Sequence, residues 1–167
     1  MVKILFVCHG NICRSPMAEF VMKHLVKKAG LEQEFHIESA ATSTEEIGNP
    51  VYPPARRKLA QHGISCEGKR ARQLRREDYE DWDLLIGMDQ ANIRNMRRIC
   101  GGDPEGKIHL MMEYAGGRKG SPREPSEAGR VGKGGAKGAD AVFAAGGNGV
   151  SGLCDAAHGG WIARLAS

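Results

Sequence analysis

The chain has 167 residues, of which 41% are hydrophobic, and it carries a net charge of +4. This length is typical of a single domain, and the apolar content is sufficient for a buried core. Lysine and arginine are interspersed with acidic residues, so the small positive excess indicates no nucleic-acid partner.

The sequence also lacks the marks of a membrane or metal protein. No stretch approaches the roughly 18–20 apolar residues of a membrane span, and the amino terminus has no signal-peptide pattern. Five cysteines are present, with no Cys-x2-Cys pair and no Cys/His spacing typical of zinc. An odd number of thiols suits a reducing compartment, so we expect a cytoplasmic protein with no membrane partner. We also expect a monomer that uses no metal and no cofactor.

The predicted elements alternate between strands and helices along the chain. In order, they are a strand at Lys3–Val7, a helix from about Pro16 to Ala29, a strand at Phe35–Ala40, a helix from Pro54 or Ala55 to about Gln61, a short strand at Ile64–Cys66, a helix at Gln73–Glu80, a strand at Trp82–Gly87, a helix capped by Asp89 that runs to about Arg98, and a strand at Ile108–Met111. Such alternation predicts an α/β fold of three layers, with a mainly parallel central sheet and helices on both faces.

The strongest functional pattern lies between the first strand and the first helix. It reads Cys8-His9-Gly10-Asn11-Ile12-Cys13-Arg14-Ser15. A loop at this position can direct its backbone N–H groups and the positive end of a helix at an anion. Arg14 can hold two phosphate oxygens with its planar fork, and a cysteine in such surroundings favours the nucleophilic thiolate. The pattern predicts attack of the Cys8 sulfur on phosphorus.

Local signals support a loop followed by a helix. Gly10 permits backbone conformations that other residues avoid, and Asn11 can hydrogen-bond within a tight loop. Ser15 is predicted as the N-cap and Pro16 as the first helical residue. Glu19 is expected near the first turn, where a negative charge suits the helix dipole.

Together these residues resemble the signature of the low-molecular-weight protein tyrosine phosphatases. The matching segments are Val7–Glu19, Ser39-Ala40, Ile47-Gly48, Ala55-Arg56, and Asp83–Asp89 with Asn92. The resemblance covers roughly residues 1–115. It implies a metal-free phosphatase that passes through a phosphocysteine intermediate, acts on phosphotyrosine proteins or small aryl phosphates, and is inhibited by its product, inorganic phosphate.

The resemblance also implies a role for each residue of the loop. Cys8 matches the nucleophile, Arg14 the phosphate-binding arginine, Asn11 the loop-shaping residue and Ser15 the hydroxyl that stabilises the thiolate. Cys13 matches a second cysteine that can form a protective disulfide with the nucleophile. The expected phosphate-binding set is His9, Gly10, Asn11, Ile12, Cys13, Arg14 and Ser15.

The composition changes after residue 117, which divides the chain into a phosphatase-like domain, 1–117, and a tail, 118–167. In the tail, 12 glycines and 10 alanines make 22 of 50 residues. Such a segment buries little apolar surface, so we expect it to be disordered or poorly packed, with short helices at most at Ala139–Ala145 and Trp161–Ala166. A shifted reading frame, a fusion or a diverged tail would each produce it.

The tail also lacks the Asp-Pro pair that supplies the family's general acid. Asp140 and Asp155 are its only aspartates, and neither lies in that motif, so the general acid is unknown. Loss of the acid loop would impair the enzyme.

Other functions remain open. A loop without an acid could serve as a non-catalytic module that binds phosphate or phosphotyrosine. Relatives that hydrolyse arginine phosphate carry Thr where this chain has Ile12, and related arsenate reductases use a closely spaced cysteine relay that Cys66 and Cys100 do not resemble.

Overall fold

The structure is a computed structural model, and it describes residues 1–113. The helices and strands are β1 (Val2–Cys8), α1 (Arg14–Lys28), β2 (Phe35–Ala41), α2 (Pro53–Gln61), α3 (Asp78–Asp81), β3 (Leu84–Gly87), α4 (Gln90–Cys100) and β4 (Ile108–Leu110), with single 3-10 turns at Glu32–Glu34 and Met111–Glu113.

The strands form one parallel sheet in the order β2-β1-β3-β4. β1 is central, and residues 4–8 are buried, as expected for a strand covered on both faces. Parallel strands all end at the same edge of the sheet. The register therefore places Cys8 beside Ala41 and Val7 beside Gly87 at that edge.

Alternate side chains of β1 enter two separate cores. Ile4 and Phe6 pack with apolar residues of α1 and α2, whereas Leu5 and Val7 pack with residues of α3 and α4. Helices thus cover both faces of the sheet, which confirms the three-layer α/β fold.

Two predicted elements are wrong. The segment 64–66 is not a strand, because the Ile64 N–H donates to the carbonyl of Leu59 and closes the end of α2. The helix predicted from residue 73 is confined to α3. Leu74 donates to the Ala41 carbonyl, so the chain before α3 runs along the sheet edge instead of coiling.

Several expectations lie outside the described residues. They are the tail 118–167 with its boundary at residue 117, the two short tail helices, and the environments of Asp140 and Asp155. Within residues 1–113, no helix is long and apolar enough to cross a bilayer. The same part of the chain contains no cluster of three or more potential metal ligands.

Candidate active site

The Cys8 thiol lies at the carboxyl end of β1, under the loop that leads into α1. The side chain is buried. Its Sγ accepts from the Asn11 amide at 3.3 Å and lies 3.0 Å from the Ser15 hydroxyl oxygen. The sulfur is therefore held between a backbone N–H donor and a hydroxyl group within hydrogen-bond distance.

Asn11 holds the loop in shape. Its φ is +58°, in the left-handed region, whereas Gly10 does not have a positive φ. Asn11, and not Gly10, is therefore the loop residue with a left-handed backbone conformation, which asparagine tolerates better than most residues. The buried Asn11 side chain donates to the hydroxyls of Ser15 and Ser39, at 2.8 Å each, and accepts from the Arg72 amide at 3.2 Å.

Ser15 does not cap α1, contrary to the sequence-based prediction. The helix begins at Arg14 with Cys13 as its N-cap, so Ser15 and Pro16 are its second and third residues. The Ser15 hydroxyl is fully buried and contacts Cys8 and Asn11 instead of a backbone amide of its own helix. The sequence pattern at Ser15 therefore predicts a helix cap, whereas the structure places the Ser15 hydroxyl against the Cys8 thiol.

Glu19 also differs from its prediction, because the first turn of α1 contains no acidic residue. Its carboxylate is buried with only 3% of the residue exposed. It accepts from the Ser39 hydroxyl and forms ion pairs with Lys23 at 2.7 Å and with Lys69 at 3.1 Å. Sequence reasoning missed Lys69, since no local pattern links it to a residue 50 positions earlier.

Arg14 faces the amino end of α4. Its Nη1 donates to Oδ2 of Asp89 at 2.7 Å. Asp89 caps α4, as predicted, and forms a capping box in which its Oδ1 accepts from the Asn92 amide at 2.8 Å. Burial raises the pKa of Asp89, but hydrogen bonds from Arg14 and from the Asn92 and Ala91 amides outweigh burial and hold this pKa below its ordinary value.

The thiol of Cys13, the second cysteine of the loop, has a raised pKa. Burial raises the pKa of the Cys13 thiol to about 11, and the neighbouring Cys8 adds to the increase, while Arg14 opposes it. Cys13 and Cys8 are both reduced. The Cys13 thiol is therefore protonated at neutral pH.

The remaining residues of the predicted phosphate-binding set line the outside of the loop. The exposed His9 lies 3.1 Å from a Glu45 carboxylate oxygen. The Ile12 carbonyl accepts from the Tyr52 amide at 2.7 Å. Gly10 lies against Glu46, whose Cγ is 3.3 Å from the position that a Cβ would take.

The segment from Cys8 to Ser15 suits a tetrahedral anion. The first amides of a helix have no acceptor within it, and those of α1 begin in this loop. Arg14, whose Nη1 is paired with Asp89, belongs to the same segment, and a guanidinium can bind two oxygens of such an anion. A phosphate bound here would place its phosphorus near the Cys8 sulfur, which is the requirement for nucleophilic attack.

The chain matches the family described as low molecular weight phosphotyrosine protein phosphatase over residues 3–130. Among curated proteins, it is 40% identical to the low molecular weight protein-tyrosine-phosphatase YfkJ of Bacillus subtilis over 114 residues, 68% of this chain and 73% of that protein. It is 42% identical to the low molecular weight phosphotyrosine protein phosphatase of Homo sapiens over 117 residues, 66% of this chain and 71% of the human protein.

Solved structures agree with this match. The crystal structure of YfkJ from Bacillus subtilis superposes with a TM-score of 0.74 at 31% identity, covering 95% of each chain. The low molecular weight protein tyrosine phosphatase from Streptococcus pyogenes gives a TM-score of 0.69 at 33% identity, covering 100% of this chain and 95% of that one. The chain belongs to the low molecular weight phosphotyrosine protein phosphatase family.

Proposed function

We propose that the protein is a cysteine-dependent phosphatase that hydrolyses phosphotyrosine in proteins, or small aryl phosphates. The observation that carries this proposal is the buried Cys8 sulfur, which accepts from Asn11 N–H and lies 3.0 Å from Ser15 Oγ. The relatives named above are phosphotyrosine phosphatases, which supports the same substrate class.

The reaction proceeds in two displacements. In the first, the Cys8 thiolate attacks phosphorus, an S–P bond forms, and the P–O bond to the phenol breaks. In the second, water attacks phosphorus, the S–P bond breaks, and inorganic phosphate leaves. Splitting the reaction in this way replaces one difficult step with two easier ones.

The loop and Arg14 stabilise the phosphoryl group during both steps. Phosphoryl transfer depends mainly on positioning and on electrostatic stabilisation of the equatorial oxygens. We assign these donors to the Arg14 guanidinium and to amides of the loop other than Asn11 N–H, which donates to the Cys8 sulfur. Asp89, paired with Arg14, restrains the orientation of the guanidinium.

The phenol that leaves in the first displacement needs a proton from a general acid. Asp89 lies beside Arg14, but its lowered pKa keeps it ionised at neutral pH, so it is a poor proton donor. Among the described residues, we assign no general acid. We propose that the enzyme is impaired on substrates whose phenol needs protonation.

We also propose the domain division, the location, the oligomeric state and the redox chemistry of the protein. Residues 1–117 form the phosphatase-like domain, and 118–167 an atypical Gly/Ala-rich tail. The protein acts in the cytoplasm as a monomer, with inorganic phosphate as product and inhibitor. Cys13 is the redox partner that captures an oxidised Cys8 as a disulfide.

Hydrolysis of an activated aryl phosphate tests the function, with Cys8→Ser as the decisive variant. We expect turnover by the natural chain and none by Cys8→Ser, with phosphate or vanadate binding retained because the loop is intact. Cys66→Ser is the matched control and should keep turnover, because Cys66 lies outside the loop. Near-full hydrolysis by Cys8→Ser would refute the proposal, and phosphate binding without turnover in the natural chain would indicate a binding module.

Arg14→Lys extends the same assay to the arginine. A point charge cannot reproduce a bidentate fork, so turnover should fall severely while the protein stays folded. Turnover close to that of the natural chain would remove Arg14 from the proposed mechanism.

A further inference from the structure

A groove lies along one side of α2, between this helix and the segment 63–70 that follows it. Its volume is about 690 Å³, which falls within the range of about 300–1,000 Å³ that is common for ligand-binding clefts. Apolar residues, among them the buried Val51 and Ile64, form part of the lining. The charged residues of the lining are Arg56, Glu67, Lys69 and Arg70. We call this feature the α2 groove.

The α2 groove has an excess of positive charge. Lys69 is already bound to the buried Glu19 carboxylate at 3.1 Å, so its charge is compensated inside the protein. Arg56 and Arg70 are exposed, and within residues 1–113 neither guanidinium pairs with a carboxylate. The exposed Glu67 offsets at most one of their two charges. The excess therefore comes from the two arginines.

Backbone carbonyls orient both arginines without using all of their donors. Arg56 Nη2 donates to the Val51 carbonyl at 3.5 Å, and Arg70 Nη1 donates to the Gly48 carbonyl at 3.3 Å. A guanidinium has five N–H donors, so each arginine retains several that can bind an anion. Carboxylates fit this planar fork, because they accept two parallel hydrogen bonds from it. The groove thus presents two cations that are suited to acidic side chains.

One end of the α2 groove adjoins the phosphate-binding loop. Arg70 lies two residues before Arg72, whose amide donates to Asn11 Oδ1 at 3.2 Å. In the neighbouring segment, which is bridged to Arg70, the Tyr52 amide donates to the Ile12 carbonyl at 2.7 Å. Two residues of extended chain span at most about 7 Å. A peptide can therefore reach from the loop to the groove within a few residues.

The charge around the loop is not uniform. The exposed Glu45 carboxylate lies 3.1 Å from the His9 ring, and Glu46 packs against Gly10. Carboxylates at this part of the loop repel acidic residues of a bound peptide, whereas the arginines of the α2 groove attract them. The acidic residues of a substrate are therefore favoured in the groove and disfavoured beside His9.

We propose that the α2 groove binds an acidic segment of the substrate protein, within a few residues of the phosphotyrosine, through Arg56 and Arg70. This inference rests on the proposed function for the phosphotyrosine itself. The concave shape and the apolar part of the lining suit an extended peptide with its side chains, which a planar lipid surface cannot match. The two arginines determine specificity by binding substrate away from the reacting atoms.

The first experiment compares two phosphotyrosine peptides that differ only in their flanks, which are glutamates or glutamines on both sides. The natural chain should have the lower KM for the glutamate peptide. Arg56→Gln and Arg70→Gln should each raise this KM about threefold with kcat unchanged, because a single exposed ion pair contributes little. The double variant should raise it about tenfold. The KM of the glutamine peptide and turnover of a small activated aryl phosphate should not change, which also shows that the variants fold.

Arg57→Gln is the matched control. Arg57 is the next residue of α2, is exposed, and does not line the groove. This variant removes the same charge, so it should leave the preference for the glutamate peptide intact. An equal loss of preference in Arg57→Gln would overturn the inference, because it would assign the effect to net charge. The charge-reversed variant Arg56→Glu, Arg70→Glu should instead prefer a peptide flanked by lysines.

An NMR titration of the full chain with the unphosphorylated glutamate peptide measures groove binding without turnover. Amide shifts of residues 63–70 should change in the natural chain and not in the double glutamine variant. If the natural chain hydrolyses neither phosphopeptide, the proposed function fails, and these shifts still test the groove. Equal kcat/KM for both phosphopeptides without shifts at residues 63–70 would overturn the inference. Shifts produced by phosphatidylserine vesicles and not by the peptide would also overturn it, in favour of a lipid surface.

Discussion

The Arg14 guanidinium and the Asp89 carboxylate are joined by a 2.7 Å hydrogen bond between Nη1 and Oδ2, which ties the start of α1 to the cap of α4. The other carboxylate oxygen of Asp89 accepts from the Asn92 amide. One side chain thus restrains the phosphate-binding arginine and also starts a helix. Substitutions can separate these two roles.

Asp89→Asn should change phosphate binding while keeping the helix cap, because Asn is as good a cap as Asp. Loss of the negative charge beside Arg14 should tighten inhibition by inorganic phosphate about fivefold, equivalent to ~1 kcal/mol at a solvent-exposed site. At the same time kcat should fall, because the guanidinium is less restrained. Inhibition constants and progress curves measure both effects.

Asn92→Ala is the matched control for this prediction. It removes the other half of the capping box and leaves the Arg14–Asp89 pair intact. We expect it to lose stability without tighter phosphate inhibition. If Asp89→Asn leaves the inhibition constant unchanged, the carboxylate does not act on the phosphate site.

The stability contributed by the charge of Asp89 should depend on pH. Its pKa is lowered in the folded state, so this stability is present above the unfolded pKa, about 3.9, and is lost as pH falls through the folded value. The difference in free energy of unfolding between the natural chain and Asp89→Asn should be constant from pH 7 to about 5 and shrink below about 4. Denaturant titrations across this range measure it, and a difference that grows on acidification would show the opposite sign.

The free energy of unfolding should be higher for Asn11→Gly than for Asn11→Ala. Both variants lose the hydrogen bonds to Ser15 and Ser39, but only alanine must also adopt the left-handed conformation at φ +58°. That conformation costs about 1–2 kcal/mol for a residue with a Cβ. Asn11→Gly should therefore unfold at higher urea than Asn11→Ala, and both should have low activity. Equal midpoints would mean that the loop relaxes out of this conformation in the variants.

Local signals predicted the fold well because strands, helices and caps are short-range features. The cap at Asp89 was predictable, since an aspartate directly before a helical run is a preferred N-cap. Ser15 was misassigned because a serine before a helical run looks like a cap, whereas its hydroxyl is used by Cys8. The pairing of Glu19 with Lys69 joins distant segments, and one sequence gives no signal for it.

Disulfide formation between Cys13 and an oxidised Cys8 should become faster as the pH rises. Peroxide converts the Cys8 thiolate to a sulfenic acid, whose sulfur the Cys13 thiolate then attacks, expelling hydroxide and forming a disulfide. The Cys13 pKa of about 11 limits its thiolate. Cys8 adds to the raised pKa of Cys13, and this contribution is lost once Cys8 is a neutral sulfenic acid. The rate of disulfide formation should therefore rise with pH and reach half of its maximum below about pH 11. Peptide mapping after timed peroxide exposure gives this rate.

Cys13→Ser is the control for the oxidation experiment. Without a resolving thiol, Cys8 should accumulate as sulfinic acid and activity should not return on reduction. A natural chain that also gives Cys8 sulfinic acid, with no link between residues 8 and 13, would contradict the assignment of Cys13 as redox partner.

The leaving group should decide how fast this enzyme works. General acid catalysis contributes about 10²–10⁴-fold, and within the described residues Asp89 is held ionised by Arg14 and its helix amides. A nitrophenol leaves without a proton, whereas the phenol of tyrosine needs one. The logarithm of the rate, plotted against leaving-group pKa for a series of aryl phosphates, should therefore fall steeply, with phosphotyrosine hydrolysed slowest. Asp140→Asn and Asp155→Asn should leave the slope unchanged if neither tail aspartate is the acid. A flat plot in the natural chain that becomes steep in one of these two variants would identify that residue as the proton donor.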